Sequence, residues 1–201
     1  KRIVFVGSGS GGHFYPLIAV AEALRQLPDM GPTQAAFYFI GPDIFDQEAL
    51  QRTGITYVSC PAGKQRRYFS LYNVVDFFKT IAGFFVAFGK LFWLYPDAVF
   101  SKGGFTSVPV VLSAWLLRIP IIVHESDAVA GRANLLAKRF ARTIFVAHQD
   151  AARFFPAEKV QVVGMPLRRE FFAPVATPHD TLKISDDKPV IFVTGGSLGA
   201  K

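Results

Sequence analysis

The chain has 201 residues, 51% of them hydrophobic, enough to close one globular domain or slightly more. Lys and Arg outnumber Asp and Glu by 22 to 15, and the net charge of +7 favours an anionic partner without choosing among nucleic acid, a phosphorylated substrate and anionic lipid. A single cysteine, Cys60, excludes an internal disulfide and with it a disulfide-stapled secreted fold; it reads as an inert core thiol.

Residues 2–6 read as a strand that runs straight into a glycine loop, with no apolar segment and cleavage site of a signal peptide. Further strands are predicted at 35–40, 56–60, 98–101, 120–124, 143–146 and 160–163, several apolar throughout, as strands buried on both faces are. Helices are predicted at 16–27, 45–53, 71–94, 107–117, 131–140 and 150–155. The alternation implies an α/β fold, a doubly wound, Rossmann-like parallel sheet, with ligands at the carboxyl ends of the strands. From 164 to 188 the composition turns to proline and polar residues and reads as a linker after a first domain of 1–163. Residues 189–201 then open a second strand and glycine loop, so we expect a piece of a longer protein.

The loop Gly7-Ser8-Gly9-Ser10-Gly11-Gly12-His13 follows the first strand and leads to a helix expected to open at Pro16. Backbone N–H groups and the helix dipole there suit an anion or a sugar oxygen. The spacing Gly7-x-Gly9-x-x-Gly12 also fits a dinucleotide fingerprint, which keeps a Rossmann oxidoreductase open. The acid expected after the second strand is displaced past Pro42 to Asp43, which weakens that reading. A second loop, Ser101-Lys102-Gly103-Gly104-Phe105-Thr106-Ser107, leads into a helix with a Thr or Ser cap, and two such loops can jointly cradle a diphosphate. His13, at a helix start, is expected to be neutral and able to accept a proton, or else simply to bond its loop. Nothing suggests a protein-bound metal.

Six segments occur in the order and spacing of one family: Gly9-Ser10-Gly11-Gly12-His13-x-x-Pro16, Lys102-Gly103-Gly104-Phe105-x-Ser107-x-Pro109, His124-Glu125-Ser126-Asp127, Gly131-x-x-Asn134, Gly164-Met165-Pro166-Leu167-Arg168 and Gly195-Gly196-Ser197-Leu198-Gly199-Ala200. The chain thereby resembles the MurG family of bacterial cell-wall glycosyltransferases, family 28, with the two-domain GT-B fold. The resemblance implies that this chain is the N-terminal acceptor domain, with only the opening of a donor domain. It also implies inverting transfer of N-acetylglucosamine from UDP-N-acetylglucosamine to the C4 hydroxyl of an undecaprenyl-diphosphate-linked muramyl-peptide, lipid I to lipid II, with no cofactor. By the same resemblance His13 is the candidate general base and Glu125 lines the acceptor cleft as a second catalytic candidate. Ser10, Gly11, Gly12, Lys102, Gly103, Gly104, Phe105, Asp127, Asn134, Arg168 and Ser197 are its substrate-binding positions, with Arg168 reaching the donor diphosphate. The chain departs from the family at Asp127, where the usual residue is Asn; a carboxylate accepts hydrogen bonds but cannot donate as an amide does.

Between Tyr68 and Tyr95 the sequence packs 11 of its aromatic residues. A core-facing stripe needs only about 100° of a helix. Phe77, Ile81, Phe84, Phe88, Leu91 and Tyr95 are expected to fill it, leaving Phe78, Phe85, Phe92 and Trp93 elsewhere. Asp76, Lys79 and Lys90 interrupt the run, which is therefore expected to lie on a membrane surface instead of spanning it. Lys64, Arg66, Arg67 and Lys79 are placed to meet anionic headgroups, and Phe78, Phe85 and Trp93 the apolar layer. The resemblance implies a peripheral location on the cytoplasmic face of the bacterial plasma membrane. Nucleic-acid binding is not expected, because the positive charge is scattered and the aromatics sit on a helix. A related glycolipid-forming GT-B transferase and a membrane-anchoring half of a split glycosyltransferase remain open.

Overall fold

The computed structural model describes residues 1–7, 10–63, 72–173, 191 and 193. Seven strands, β1 (Arg2–Val6), β2 (Ala36–Gly41), β3 (Ile55–Ser59), β4 (Ala98–Ser101), β5 (Ile121–Glu125), β6 (Thr143–Val146) and β7 (Val160–Val162), form one sheet in the order β3-β2-β1-β4-β5-β6-β7. Every pairing is parallel. Helices α1 (Gly11–Arg25), α2 (Gln47–Thr53), α3 (Tyr72–Leu94), α4 (Ser107–Leu116) and α5 (Arg132–Ala137) connect them. The order turns back after β3, so α1 and α2 cover one face and α3, α4 and α5 the other, as right-handed crossovers require. The pleat of β1 shows why its run is apolar: Phe5 joins Phe14, Leu17, Phe37 and Phe39 on the α1 face, whereas Val4 and Val6 join Leu91, Val110 and Val111 on the α3–α4 face.

The seven strands expected between residues 2 and 163 are all present, while of the strand expected from 189 only Ile191 and Val193 are described, both exposed; five helical expectations need correction. Helix α1 begins at Gly11, not Pro16, because the loop itself winds into the first turn: the Ser10 carbonyl accepts from His13 N at 3.1 Å and Phe14 N at 3.2 Å. Pro16 therefore lies inside the helix and leaves the Gly12 carbonyl without its usual donor. The expected Thr or Ser cap of α4 forms no N-cap side-chain bond at Thr106; Ser107 instead bonds back, donating Oγ–H to the Gly104 carbonyl at 2.8 Å. Helix α5 stops at Ala137, and the segment expected as a helix at 150–155 is a 3-10 turn, Gln149–Phe154.

The largest correction concerns α3. Its buried stripe is Asp76, Gly83, Ala87 and Leu91, while Phe77, Ile81 and Tyr95, expected inside, are exposed together with Phe78, Phe85, Phe92 and Trp93. Close approach of backbones is the cause. Cys60 Sγ–H donates to the Gly83 carbonyl at 3.4 Å and Ser113 Oγ–H to the Phe84 carbonyl at 3.0 Å. A Cβ on Gly83 would run into the Pro61 carbonyl oxygen. Small side chains let the helix sit this close, so the bulky ones point away. By length and composition Val74–Leu94, with mean hydropathy 1.5, is apolar enough to cross a bilayer, whereas the interrupting charges led us to expect otherwise. Lys64, Arg66, Arg67 and Ser197 lie outside the described residues, as do most of the expected linker and all but Ile191 and Val193 of the second glycine unit.

Candidate functional site

Neighbouring parallel strands β1, β4 and β5 deliver three loops to one sheet edge. Lys102 N–H donates to the Val6 carbonyl at 2.8 Å, and a Cβ on Gly7 would stand 2.8 Å from Lys102 Cβ, so the two glycine loops abut. Gly103 and Gly104 take φ of 84° and 81°, a region open to glycine. A Cβ on Gly103 would also meet the Asn134 side-chain amide at 2.7 to 2.9 Å, which ties the β4 loop to α5. A Cβ on Gly11 would meet the rings of Tyr15 and Phe45 at 3.3 to 3.4 Å, while one on Gly12 would find open space except for Ser10 Oγ at 3.8 Å. Phe105 is half-buried at the start of α4.

His13 occupies the first turn of α1, half-buried, with Nδ1 2.9 Å from Ser10 Oγ. Burial first, and then the Lys102 ammonium, push its pKa below the usual value, while Asp127 and Glu125 oppose them. The ring is neutral near pH 7, as the sequence predicts, although burial leads the causes. If Nδ1 carries the proton and donates to Ser10, Nε2 is left to accept one.

Lys102 lies at the floor between the loops of β1 and β5, only 2% exposed. Among the described residues its ammonium has no hydrogen-bond or ion-pair partner, and burial lowers its pKa to about 8 against the pull of Glu125 and Asp127. A buried cation without a close counter-ion is costly and suits an incoming anion.

Glu125 sits differently from a free catalytic carboxylate. Its Oε1 accepts from Asp127 N–H at 3.0 Å, and Oε2 accepts from Gly131 N–H at 2.8 Å and from Asn134 Nδ2 at 3.0 Å. Both oxygens hold the 125–131 loop in shape, so proton transfer to Glu125 would weaken that loop. Asp127, placed by this loop, is exposed at the rim. Asn134 is buried, its Oδ1 unpartnered beneath Gly103. Arg168 stands apart from the floor, its guanidinium 4.5 Å from the Tyr15 ring centroid, and Tyr15 in turn donates to Asp46 at 3.2 Å.

Sequence reasoning missed His124, fully buried at the end of β5, whose Nε2 lies 3.0 Å from the Gly164 carbonyl. Burial lowers its pKa to about 4, so it is a neutral strut; a histidine closing the apolar run 121–124 was the available signal. A cavity of about 870 Å³ lies elsewhere, between the C-terminal ends of α1 and α2, lined by Glu22, Arg25, Arg52 and Glu170. Arg25 there is committed to the carbonyls of Met30, Ala35, Thr53 and Gly54, and none of the site's glycine loops reaches it.

Comparison with known proteins places this edge in a family. The family model described as the glycosyltransferase family 28 N-terminal domain matches residues 3–146. A Bacillus cereus UDP-N-acetylglucosamine--N-acetylmuramyl-(pentapeptide) pyrophosphoryl-undecaprenol N-acetylglucosamine transferase is 42% identical over 203 residues, covering all of this chain and 56% of the relative. Its Treponema pallidum counterpart is 39% identical over 208 residues, covering 100% of the chain and 52% of the relative. The chain thus spans about half the length of the curated relatives it matches. Among solved structures, Acinetobacter baumannii MurG superposes with a TM-score of 0.65 at 27% identity, covering 87% of this chain and 48% of that one. A Staphylococcus aureus MnaA–UDP co-structure, TM-score 0.59 at 15% identity over 83% of this chain and 44% of that one, shares the fold alone. The parallel sheet with its paired glycine loops, matched from residue 3 to 146, makes this chain a member of glycosyltransferase family 28, carrying that family's N-terminal domain.

Proposed function

We propose that the chain is the acceptor half of a transferase that moves N-acetylglucosamine from UDP-N-acetylglucosamine to the C4 hydroxyl of an undecaprenyl-diphosphate-linked muramyl-peptide. The observation that carries the reading is the abutment of the β1 and β4 loops at one sheet edge, with Lys102 buried where they meet and His13 in the first turn of α1. Anionic oxygens of the acceptor enter against Lys102 and the N-termini of α1 and α4. His13, held by Ser10, takes the proton of the attacking hydroxyl at Nε2. The new bond forms from that oxygen to the anomeric carbon as the bond to the donor diphosphate breaks, and its electron pair leaves with UDP. Arg168, on its Tyr15 platform beside α1, stands where the chain leaves the sheet and meets the donor diphosphate brought by the remainder of the protein. Glu125 and Asn134 shape the pocket wall and perform no proton transfer.

The transferase works at the cytoplasmic face of the plasma membrane as a peripheral protein. Helix α3 supports this: it crosses over between β3 and β4 with one side packed on α4 and the other presenting Phe77, Phe78, Phe85, Phe92 and Trp93. A helix held along a sheet in this way lies in the membrane plane, since spanning would draw the sheet into hydrocarbon. Full-length enzyme given labelled UDP-N-acetylglucosamine and a lipid-linked muramyl-peptide is expected to form the disaccharide. His13→Ala is expected to lose about 100-fold or more in kcat, the usual scale of a general base. Transfer undiminished in His13→Ala removes the base assignment, and no transfer by the wild type removes the function.

A further inference from the structure

Arg168 is held by a chain of contacts that begins in the loop between β2 and α2. Asp46 caps α2, accepting the Ala49 N–H on Oδ1 at 2.9 Å, and its other oxygen accepts the Tyr15 hydroxyl at 3.2 Å. Phe45 of the same loop meets the Tyr15 ring edge-to-face at 5.7 Å, and Phe14 does so at 5.6 Å. The ring is thus fixed both at its hydroxyl and by its neighbours. The Arg168 guanidinium lies 4.5 Å from the centroid of this ring and 5.8 Å from that of the exposed Phe171. Among the described residues it makes no hydrogen bond. Its ion-pair partner Glu170 has Oε2 4.0 Å from Nε, beyond hydrogen-bonding range, and turns Oε1 to Arg52 at 3.2 Å. The chain is tied down on either side as well: His124 Nε2 is 3.0 Å from the Gly164 carbonyl, and the Arg169 N–H donates to Glu22 at 3.5 Å.

We propose that Tyr15, anchored by Asp46, is a positioning residue for Arg168, holding the guanidinium by its charge so that its N–H donors stay free for a diphosphate. This rests on the reading of Arg168 as the group that meets the donor diphosphate. A guanidinium has five N–H donors, and one kept in place by ring electrons, not by hydrogen bonds, spends none of them before the ligand arrives. Pre-placement also removes the rotamer freedom that a solvated arginine would lose on binding. A phenol that donates to a carboxylate is polarised toward its ring, so Asp46 strengthens the hold of Tyr15 on the cation. The loop between β2 and α2 therefore sets how well the donor is held while supplying no group to the transfer itself.

The test is steady-state kinetics of the complete transferase, with UDP-N-acetylglucosamine varied at saturating lipid-linked acceptor. Tyr15→Leu is expected to lower kcat/KM for the donor about 5-fold or more, with the acceptor KM within about twofold. Tyr15→Phe and Asp46→Asn are expected to cost about threefold each, and the two together no more than either alone, because both act on one contact. Arg168→Ala is expected to cost about 30-fold or more, and in that background Tyr15→Leu costs nothing further. General damage to the fold would instead add in full. Equal losses from Tyr15→Leu with and without Arg168 overturn the proposal, and so does a donor kcat/KM that Tyr15→Leu leaves unmoved. Should Tyr15→Leu fold poorly, Tyr15→Phe, which keeps the ring, carries the same comparison across the two backgrounds. If Arg168→Ala weakens use of the donor while the Tyr15 variants do not, the positioning falls and the reading of Arg168 stands. If Arg168→Ala matches the wild type, that reading falls and takes the positioning with it.

Discussion

Lys102 shows how a buried charge works against the stability of its own fold. Unfolded, the side chain holds its proton up to about pH 10.5; folded, burial lowers that to about 8. Between these values the unfolded state binds more protons, so stability rises with pH, and below about pH 8 the full penalty persists. Lys102→Met is therefore expected to stabilise the chain at pH 7 by about 1–3 kcal/mol and to flatten the rise in stability between pH 8 and 10, read from urea unfolding. A destabilised variant with an unchanged alkaline rise contradicts this account. A lysine reads as a surface residue in sequence, so its burial was not legible there; the glycines at 103 and 104 were, because a polar strand end followed by two glycines calls for positive φ. Glu125 was legible as important but not in its role, since its partners are N–H groups at Asp127 and Gly131 that exist only once the loop has folded.

At the scale of the element, α3 decides which side chains the solvent or the bilayer meets. Counting bulky residues put Phe77 and Ile81 inside; the helix buries Gly83 and Ala87 instead, because what it meets is backbone at Pro61 and the α4 residue Ser113. Strands were easier to read. Largely buried on both faces, β1, β2 and β5 carry apolar runs at 3–6, 36–40 and 121–123, with strand ends that fall within a residue or so of the expected ones. Gly83→Leu is expected to cost about 3 kcal/mol or more, because its Cβ overlaps the Pro61 carbonyl and the larger side chain would drive α3 off its packing partners. Phe85→Ser, at a side chain 67% exposed, is expected to change stability by less than about 0.5 kcal/mol. Matched thermal melts of the two variants check the assignment of faces, and equal losses would contradict it.

For the molecule as a whole, α3 and the glycine-loop edge are carried by the same sheet, so the proposed docking and the proposed chemistry are geometrically linked. The chain is expected to co-sediment with vesicles containing phosphatidylglycerol and far less with phosphatidylcholine alone, given a net charge of +7. Phe85→Ser combined with Lys79→Glu is expected to weaken that binding about 10-fold or more, at roughly 1 kcal/mol per cation and more for a buried ring. Binding indifferent to both lipid charge and the double substitution contradicts a membrane role for this face. Because Gly83, Ala87 and Leu91 do the packing while Phe77, Phe78, Phe85, Phe92 and Trp93 stay exposed, the packing of α3 and its proposed membrane contact are separable. The outward rings can be exchanged wholesale for Gln, Glu and Lys, yielding a detergent-free reagent whose glycine loops, histidine and buried lysine are left as they were.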